Sequence, residues 1–183
     1  VEQSGLVGGI ALIHAEHGEA VDYLEQKALA CGCTGAECYE PTRPPEAEAA
    51  AIEIVALASQ ATGCPAYIVH LTSRAGLAAI EAARRRGVPI LAETCPQYLL
   101  LGNDALVSLG AAAKVAPPLR GSMDRVALAT ALRTGAIQTV GSDHASFATE
   151  AKAGGNGDIF AVPFGMAGAP VLWPAMFTWA KDT

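Results

Sequence analysis

Short apolar segments alternate with longer helical segments along the whole of this 183-residue chain. The predicted strands cover residues 9–15, 66–71, 88–93, 112–115 and 137–140. Helical periodicity predicts helices over residues 19–30, 44–62, about 73–86, 124–133 and 170–180. An ordered alternation of this kind folds into parallel strands joined by right-handed helical crossovers. We therefore expect an α/β protein with about five βα units.

Two α/β architectures accommodate this pattern. One is a partial (β/α)₈ TIM-type barrel, which has eight units and roughly 250 residues when complete. The other is an open doubly wound sheet, whose sites also lie at the carboxyl ends of the strands. No glycine-rich phosphate loop follows a predicted strand, which disfavours a nucleotide-binding open sheet. No shift in composition marks a linker, so we expect residues 1–183 to form a single domain.

Polar side chains stand at the carboxyl ends of three predicted strands. His14 follows the first, His70 the second, and Asp143 follows the last in the stretch QTVGSDHASF at 138–147. Imidazole and carboxylate groups are ligands for zinc and similar divalent ions, and water bound to such an ion becomes a nucleophile near neutral pH. A carboxylate there can also transfer that water's proton to a leaving group. One strand-end histidine is more often a core or rim residue, but three groups in matching positions predict a metal site.

Other reactive side chains have weaker claims to a role. Glu16 completes an H-x-E, but the zinc deaminase signature also needs P-C-x-x-C, which the chain lacks. Cys95 has no base assigned to it by spacing and is interpreted as a small buried residue. His17 is expected to be exposed, and His144 either supports the neighbouring aspartate or lies at the rim. The three arginines at 84–86 are expected to form a solvated helix end.

Charge and composition exclude several classes of partner. The net charge is -6 without a basic patch, so nucleic acid and anionic membrane surfaces are not expected to bind. No signal peptide opens the chain, and no run of about 18 apolar residues would span a bilayer. The five cysteines are irregularly spaced, which does not indicate a disulfide framework. This cysteine usage favours a reducing, cytoplasmic compartment.

Six short motifs follow one another in the order found in the cyclic amidohydrolases. They are HAEHGE at 14–19, TRPPEAEAAAI at 42–52, YIVHLTS at 67–73, AETCPQYLLL at 92–101, APPLR at 116–120 and GSDHASF at 141–147. Over about residues 9–168 the chain resembles this family, and it is most similar to the D-hydantoinase and dihydropyrimidinase branch. The piece ETCPQYL is the most specific of these matches.

The resemblance implies a TIM-type barrel with two divalent ions, zinc or similar, bridged by a carboxylated lysine. His14 and His70 match the two histidines of the second ion, and Asp143 matches the aspartate that binds the first ion and acts as general acid and base. Such enzymes open a small cyclic amide (a hydantoin, dihydropyrimidine or related ring) by attack of the bridging hydroxide. Ala116 and Phe164 match substrate-binding positions that act largely through main-chain groups, although the family pattern has serine and asparagine there.

Two alternatives stay open. A non-catalytic relative of dihydropyrimidinase would serve as an assembly scaffold, although the presence of His14, His70 and Asp143 argues against this. The other alternative is an allantoinase- or dihydroorotase-like specificity. The CPQYL and TRPP pieces disfavour that specificity, whereas Ala116 and Phe164 are compatible with it. By analogy, the complete protein is expected to be a homo-oligomer, specifically a tetramer.

The family's early H-x-H pair, its carboxylated lysine and its oxyanion-stabilising tyrosine are not matched in this sequence. We therefore expect the chain to be the C-terminal portion of an amidohydrolase barrel from which the N-terminal strands are absent. Open strand edges in such a piece would favour self-association.

A piece with only part of the metal site lacks the full set of groups that activate water. We therefore expect the isolated 183-residue chain to show no turnover of hydantoin, dihydrouracil, allantoin or dihydroorotate. Chromatographic detection of the ring-opened products measures this. Ring opening by this chain alone would contradict the expectation.

Overall fold

The fold is built on one parallel sheet whose strands lie side by side in sequence order. The computed structural model describes residues 1–155 and 157–181. Its strands are β1 Ala11–Ile13, β2 Ala66–Ile68, β3 Ile90–Thr94 and β4 Thr139–Val140. Their order in the sheet is β1-β2-β3-β4, without the reversal that creates the switch point of a doubly wound sheet. The prediction of a partial TIM-type barrel is therefore confirmed.

Helices connect the strands, and those predicted from periodicity are confirmed with small shifts at their ends. The α-helices are α1 Glu2–Leu6, α2 Gly18–Ala30, α3 Pro45–Thr62, α4 Arg74–Arg85, α5 Pro96–Leu100, α6 Asp104–Leu109, α7 Ser122–Thr134, α8 Thr149–Ala153 and α9 Ala169–Lys181. α3 begins at Pro45, where a missing N–H costs nothing, and is capped after Thr62 by Gly63, whose φ is +69°. Among the helices that the structure describes, none combines the length and apolar character needed to cross a bilayer.

The predicted strand at 112–115 is wrong. This segment instead contains a 3₁₀ turn, Gly110–Ala113, which follows α6 directly. Gly110 has a φ of +57°, a left-handed value that turns the chain out of the helix. Lys114 then donates hydrogen bonds from its ammonium group to the carbonyl oxygens of Ile159 and Val162, at 2.7 and 2.5 Å. Side-chain anchoring therefore replaces strand pairing here.

The two faces of the sheet have different surroundings. On one face, strand residues such as Ile68 are fully buried against helical residues such as Ile52. On the other face, Tyr67 pairs in register with Leu12 and Leu91, and these two leucines are 64% and 40% exposed. In a closed barrel this second face is the packed interior. Apolar exposure on it is therefore what a segment of a barrel shows.

One pair of cysteines is disulfide-bonded, although the irregular spacing of the cysteines does not indicate a disulfide framework. Cys33 and Cys38 are disulfide-bonded, because a 3₁₀ turn between them folds the chain back and brings their Cα atoms to 5.8 Å. Cys31 is free and exposed, whereas Cys64 and Cys95 are free and buried. A reducing, cytoplasmic compartment therefore no longer follows from the cysteines.

Arg84 does not belong to a solvated helix end, contrary to the expectation for the three arginines. Its Nε donates to the carbonyl oxygen of Ile90 at 2.9 Å, and its Nη1 donates to that of Ala136 at 2.5 Å. Its Nη2 donates to the side-chain oxygen of Gln138 at 2.8 Å. One guanidinium group therefore ties α4 to the start of β3 and to the segment that leads into β4.

Replacement of Arg84 by methionine removes these hydrogen bonds and keeps most of the apolar stem. We expect Arg84→Met to lower the free energy of unfolding by roughly 2 kcal/mol, because the donors are charged. Urea unfolding of the full-length protein measures this loss. Arg85→Met, at the adjacent exposed position, is the matched control, with an expected change within about 0.5 kcal/mol. Equal stability of the two variants would contradict the role of Arg84.

The free thiols should differ strongly in reactivity. Burial raises the pKa of the Cys95 thiol, so it stays protonated in mildly alkaline solution. We expect iodoacetamide to modify Cys31 in the folded protein and to leave Cys95 unmodified until denaturant is added. Peptide mass spectrometry measures both, and Cys31→Ser should abolish the early labelling. Early modification of Cys95 would instead support a cysteine nucleophile.

Candidate active site

The imidazoles of His14 and His70 meet at the carboxyl ends of neighbouring strands. His14 follows β1 directly, and His70 comes two residues after β2. The strand pairing extends to this point, because Val69 N donates to Ile13 O at 3.2 Å. His14 Nδ1 lies 2.9 Å from His70 Nε2, and the rings meet edge to face with centroids 4.7 Å apart. Parallel pairing thus brings together two histidines that are 56 residues apart in sequence.

His70 and Asp143 both have a left-handed backbone conformation, with φ values of +42° and +45°. Within the described part of the chain, they are the non-glycine residues with positive φ. Such a conformation costs roughly 1–2 kcal/mol and persists where the surroundings enforce it. Backbone strain of this kind is concentrated at functional positions. Here it falls on two of the three predicted ligands.

The segment that carries Asp143 leaves β4 through a narrow space. A Cβ atom at Gly141 would lie 2.4 Å from Glu93 Oε1, which favours glycine at this position. Glu93 is held in place by Tyr67, whose hydroxyl donates to Glu93 Oε2 at 2.7 Å and also bonds to Thr139 Oγ1. Hydrogen bonds between side chains therefore join β2, β3 and β4 just before the chain reaches Asp143.

A carboxylate orients His14 from the side opposite His70. His14 Nε2 lies 3.0 Å from Glu16 Oε2, and that oxygen also accepts a hydrogen bond from Arg43 Nη1. The Glu16 side chain is 4% exposed, whereas that of His14 is half exposed. Because Glu16 occupies Nε2, Nδ1 is the nitrogen that His14 turns toward His70. The H-x-E spacing therefore has a consequence, although it is an orienting contact and not part of a deaminase signature.

A second buried carboxylate lies behind the turn that follows His70. Glu48 Oε1 accepts hydrogen bonds from Thr72 N at 2.8 Å and from Thr72 Oγ1 at 3.0 Å. Glu48 Oε2 accepts a hydrogen bond from Ser73 Oγ. Burial raises the pKa of Glu48, while the charge of Arg120 and these hydrogen bonds act in the opposite direction. The carboxylate is thus taken out of water and compensated by specific partners.

Sequence reasoning missed this role of Glu48. As one of two acidic residues in the first turn of α3, it is expected only to interact with the positive end of the helix. The available signal is its spacing from the buried residues Ile52 and Val55, four and seven positions later. A glutamate on that stripe faces the core, where it needs partners.

The surroundings of His70 favour a neutral imidazole. Burial lowers its pKa most and the neighbouring His14 lowers it further, whereas Asp143 and Glu16 have the opposite effect. His70 Nδ1 is buried and has no hydrogen-bond partner among the residues that the structure describes. A neutral imidazole offers a lone pair, which is the form that metal ions bind.

The two facing nitrogens fit a shared divalent ion. Two nitrogens that each lie about 2.0–2.1 Å from a tetrahedral zinc ion are about 3.3–3.4 Å apart. His14 Nδ1 and His70 Nε2, which are 2.9 Å apart, would have to separate by only a few tenths of an ångström to share such an ion. Over residues 1–155 and 157–181, no group of three or more His, Cys, Asp or Glu side chains is arranged to hold an ion. The structure therefore brings together two of the three predicted ligands, and Asp143 does not join their cluster. The ligand roles of all three stay predictions.

His17 and His144 make local structural contacts. His17 caps α2, with Nδ1 accepting a hydrogen bond from Ala20 N at 3.4 Å. His144 Nδ1 accepts one from Ala169 N at 3.1 Å, and its backbone bridges to Met166. His144 therefore fixes the segment after Asp143 to the start of α9.

The predicted substrate-binding positions lie in different environments. Phe164 is half exposed, and its ring centre lies 5.8 Å from the guanidinium carbon of Arg43, the residue that bonds the carboxylate behind His14. Ala116 is buried. The carbonyl oxygens of the residues before and after it are hydrogen-bonded: that of Val115 accepts from the Tyr39 hydroxyl at 3.1 Å, and that of Pro117 accepts from the Tyr98 hydroxyl at 2.8 Å. Substrate binding at both positions stays a prediction.

Known proteins resemble this chain in sequence and in fold. A D-hydantoinase of Rhizobium radiobacter is 38% identical over 172 residues, which cover 92% of this chain and 38% of that protein. An allantoinase of Rubrobacter xylanophilus is 36% identical over 176 residues, which cover 96% of this chain and 38% of that protein. A solved D-hydantoinase structure superposes with a TM-score of 0.96 at 34% identity, over 99% of this chain and 40% of that one. The structure of a Thermus sp. D-hydantoinase (dihydropyrimidinase) superposes with a TM-score of 0.93 at 34% identity. The match covers 99% of this chain and 40% of that one.

These matches define the family without separating its branches. No protein-family profile matches the chain. The chain spans about two fifths of the length of these relatives. D-hydantoinases and allantoinases match it at nearly the same identity, so overall identity does not separate a hydantoinase-like from an allantoinase-like specificity. Since relatives from two branches match nearly the whole chain in sequence and solved structures match it in fold, the chain belongs to the cyclic amidohydrolase family.

Proposed function

We propose that the protein containing this chain is a metal-dependent hydrolase that opens a small cyclic amide. The contact between His14 and His70 at adjacent strand ends carries this proposal, because it places two imidazole nitrogens close enough to share one divalent ion after a small shift. Asp143 follows β4 at the same end of the parallel sheet. The family to which the chain belongs supports the same chemistry.

His14 and His70 are proposed to hold one divalent ion, zinc or a similar metal, and Asp143 a second. A bound ion of this kind lowers the pKa of water, so that hydroxide is available near neutral pH. Glu16 keeps the free nitrogen of His14 turned toward His70, because its carboxylate occupies the other ring nitrogen. A carboxylated lysine between the two ions, as the resemblance implies, would come from another part of the protein.

Asp143 is proposed to transfer the proton that ring opening requires. Addition of a water oxygen to the ring carbonyl carbon releases a proton, which the Asp143 carboxylate accepts. The C–N bond then breaks, and the same carboxyl group returns the proton to the departing nitrogen. One water is consumed, and the product is an open chain with a carboxylate where the ring carbonyl stood.

The proposed substrate is a small ring with an amide or urea group. Main-chain groups at Ala116 and Phe164 are proposed to bind it, because neither side chain carries a polar atom. The half-exposed Phe164 ring, with Arg43 beside it, would form an apolar wall of the pocket. Hydantoin, dihydropyrimidine, allantoin and dihydroorotate rings all fit this description. A tetrameric assembly and a cytoplasmic location stay predictions.

Elemental analysis and a substrate screen of the full-length protein test the proposal. We expect about two zinc-like ions per chain and ring opening of at least one of hydantoin, dihydrouracil, allantoin and dihydroorotate. Asp143→Ala removes a ligand and the proton carrier, so metal content should fall and kcat should drop by at least about 10²–10⁴-fold. Asp22→Asn, which changes an exposed carboxylate on α2, is the matched control and should alter neither.

Two outcomes would overturn different parts of the proposal. A well-folded full-length protein without bound metal would contradict the hydrolase and favour an assembly scaffold. Full metal content without turnover of any of the four rings would contradict the cyclic-amide substrate.

A further inference from the structure

The segment at residues 43–48 reaches behind both histidine-bearing turns. At its start, Arg43 bonds the Glu16 carboxylate that orients His14. At its end, Glu48 accepts hydrogen bonds from both residues of the pair Thr72-Ser73, which follows His70 closely in sequence. One stretch of chain therefore supports the two imidazoles through separate carboxylates.

The position of the His70 ring depends on its backbone. The ring has one polar contact, with His14, and its Nδ1 lacks a partner among the described residues. The backbone that carries it is left-handed and is held on the strand side through Leu71, whose N–H donates to Glu93 O at 2.7 Å. The Leu71 carbonyl accepts a hydrogen bond from Thr94 Oγ1 at 2.8 Å. Beyond Leu71 the turn has left the sheet, and other groups must hold it.

The carboxylate of Glu48 holds the part of the turn that follows Leu71. Its two oxygens accept three hydrogen bonds from Thr72 and Ser73. Arg120 closes the arrangement, with Nε donating to Thr72 Oγ1 at 3.2 Å and Nη1 donating to Arg43 O at 2.5 Å. Glu48 and Arg120 are both nearly inaccessible to solvent, so water cannot easily replace these bonds.

We propose that Glu48 is a positioning residue for the metal site, because it holds the turn at residues 70–73 in the conformation that presents His70 to His14. The inference rests on the proposed function, since it concerns the same pair of ligands. Without the carboxylate, the backbone at His70 can relax toward negative φ. The His70 imidazole then no longer faces His14 Nδ1.

Glu48→Gln in the full-length protein tests the proposal, because it keeps the side-chain size and replaces one acceptor oxygen with an amide donor. We expect Zn²⁺ affinity, measured on metal-free protein by competition with a chromophoric chelator, to fall by about 10–100-fold. The visible absorption spectrum of the Co²⁺-loaded protein should change as well. The melting temperature of the metal-free protein should fall by only a few degrees.

Glu53→Gln is the matched control on the same helix, because its carboxylate pairs with Arg86 at the surface. It should leave the metal affinity, the Co²⁺ spectrum and the melting temperature unchanged. A folded Glu48→Gln protein with wild-type Zn²⁺ affinity and wild-type Co²⁺ spectrum would overturn the positioning role.

Gly76→Ala tests the same contact from α4 if the Glu48 variant does not fold. A Cβ atom there would lie 2.8 Å from Glu48 Oε2 and from Leu71 Cδ1, so it should displace the carboxylate. Alanine favours helices, so a general loss of helix stability is not expected. Metal affinity should fall in the same direction as for Glu48→Gln, and unchanged affinity would contradict the proposal.

Hydrogen exchange in the metal-free protein separates this inference from the proposed function. Thr72 N–H donates to Glu48, so its exchange should accelerate by about tenfold or more in Glu48→Gln. Unchanged exchange at Thr72 would overturn the positioning role whether or not the protein binds metal. A wild-type protein that binds no metal but shows the accelerated exchange in the variant would overturn the proposed function alone.

Discussion

Parallel pairing of neighbouring strands is the constraint on which the rest of this structure depends. Because β1 to β4 run in the same direction, every strand ends at the same edge of the sheet. Side chains far apart in sequence, such as His14 and His70, can meet there. The same geometry creates a problem at that edge, because backbone groups lose their strand partners where the ladder stops.

A buried carboxylate stands near each histidine, and Glu48 also accepts a hydrogen bond from a backbone N–H that has left the sheet. Glu16 and Glu48 are almost inaccessible to water, and an uncompensated buried charge would cost several kcal/mol. Glu16 is compensated by Arg43, and Glu48 by hydroxyl and amide donors together with the nearby Arg120. Glu48 therefore serves as a fixed acceptor for the turn after His70, and Glu16 serves as a fixed partner for the His14 side chain.

Those parts of the fold that follow from local periodicity could be predicted from the sequence. The βα alternation and the ends of α3 at Pro45 and Gly63 are of this kind, because side-chain spacing and backbone preference act within a few residues. The segment at 112–115 could not be predicted, because a short apolar run suits several conformations. Its conformation depends on Lys114, whose carbonyl partners lie about 45 residues further along the chain.

The candidate site divides in the same way. The strand-end positions of His14, His70 and Asp143 could be predicted, because a polar group at the end of an apolar strand stands out in the sequence, whereas their roles as ligands stay predictions. Glu16 and Glu48 could not be assigned to their roles in advance, because each acts through contacts that exist only after folding. In sequence, the first resembles a fragment of a different motif, and the second resembles an ordinary helix-end charge.

The left-handed backbone at His70 and Asp143 has a consequence for evolutionary divergence. Glycine adopts this conformation without steric cost. Under the proposed function, the need for an imidazole and a carboxylate would explain why larger side chains stand there. In a lineage released from catalysis, glycine at either position would relieve the backbone and leave the barrel intact. Such a substitution would therefore identify descendants that have kept the architecture and lost the hydrolytic activity proposed for this protein.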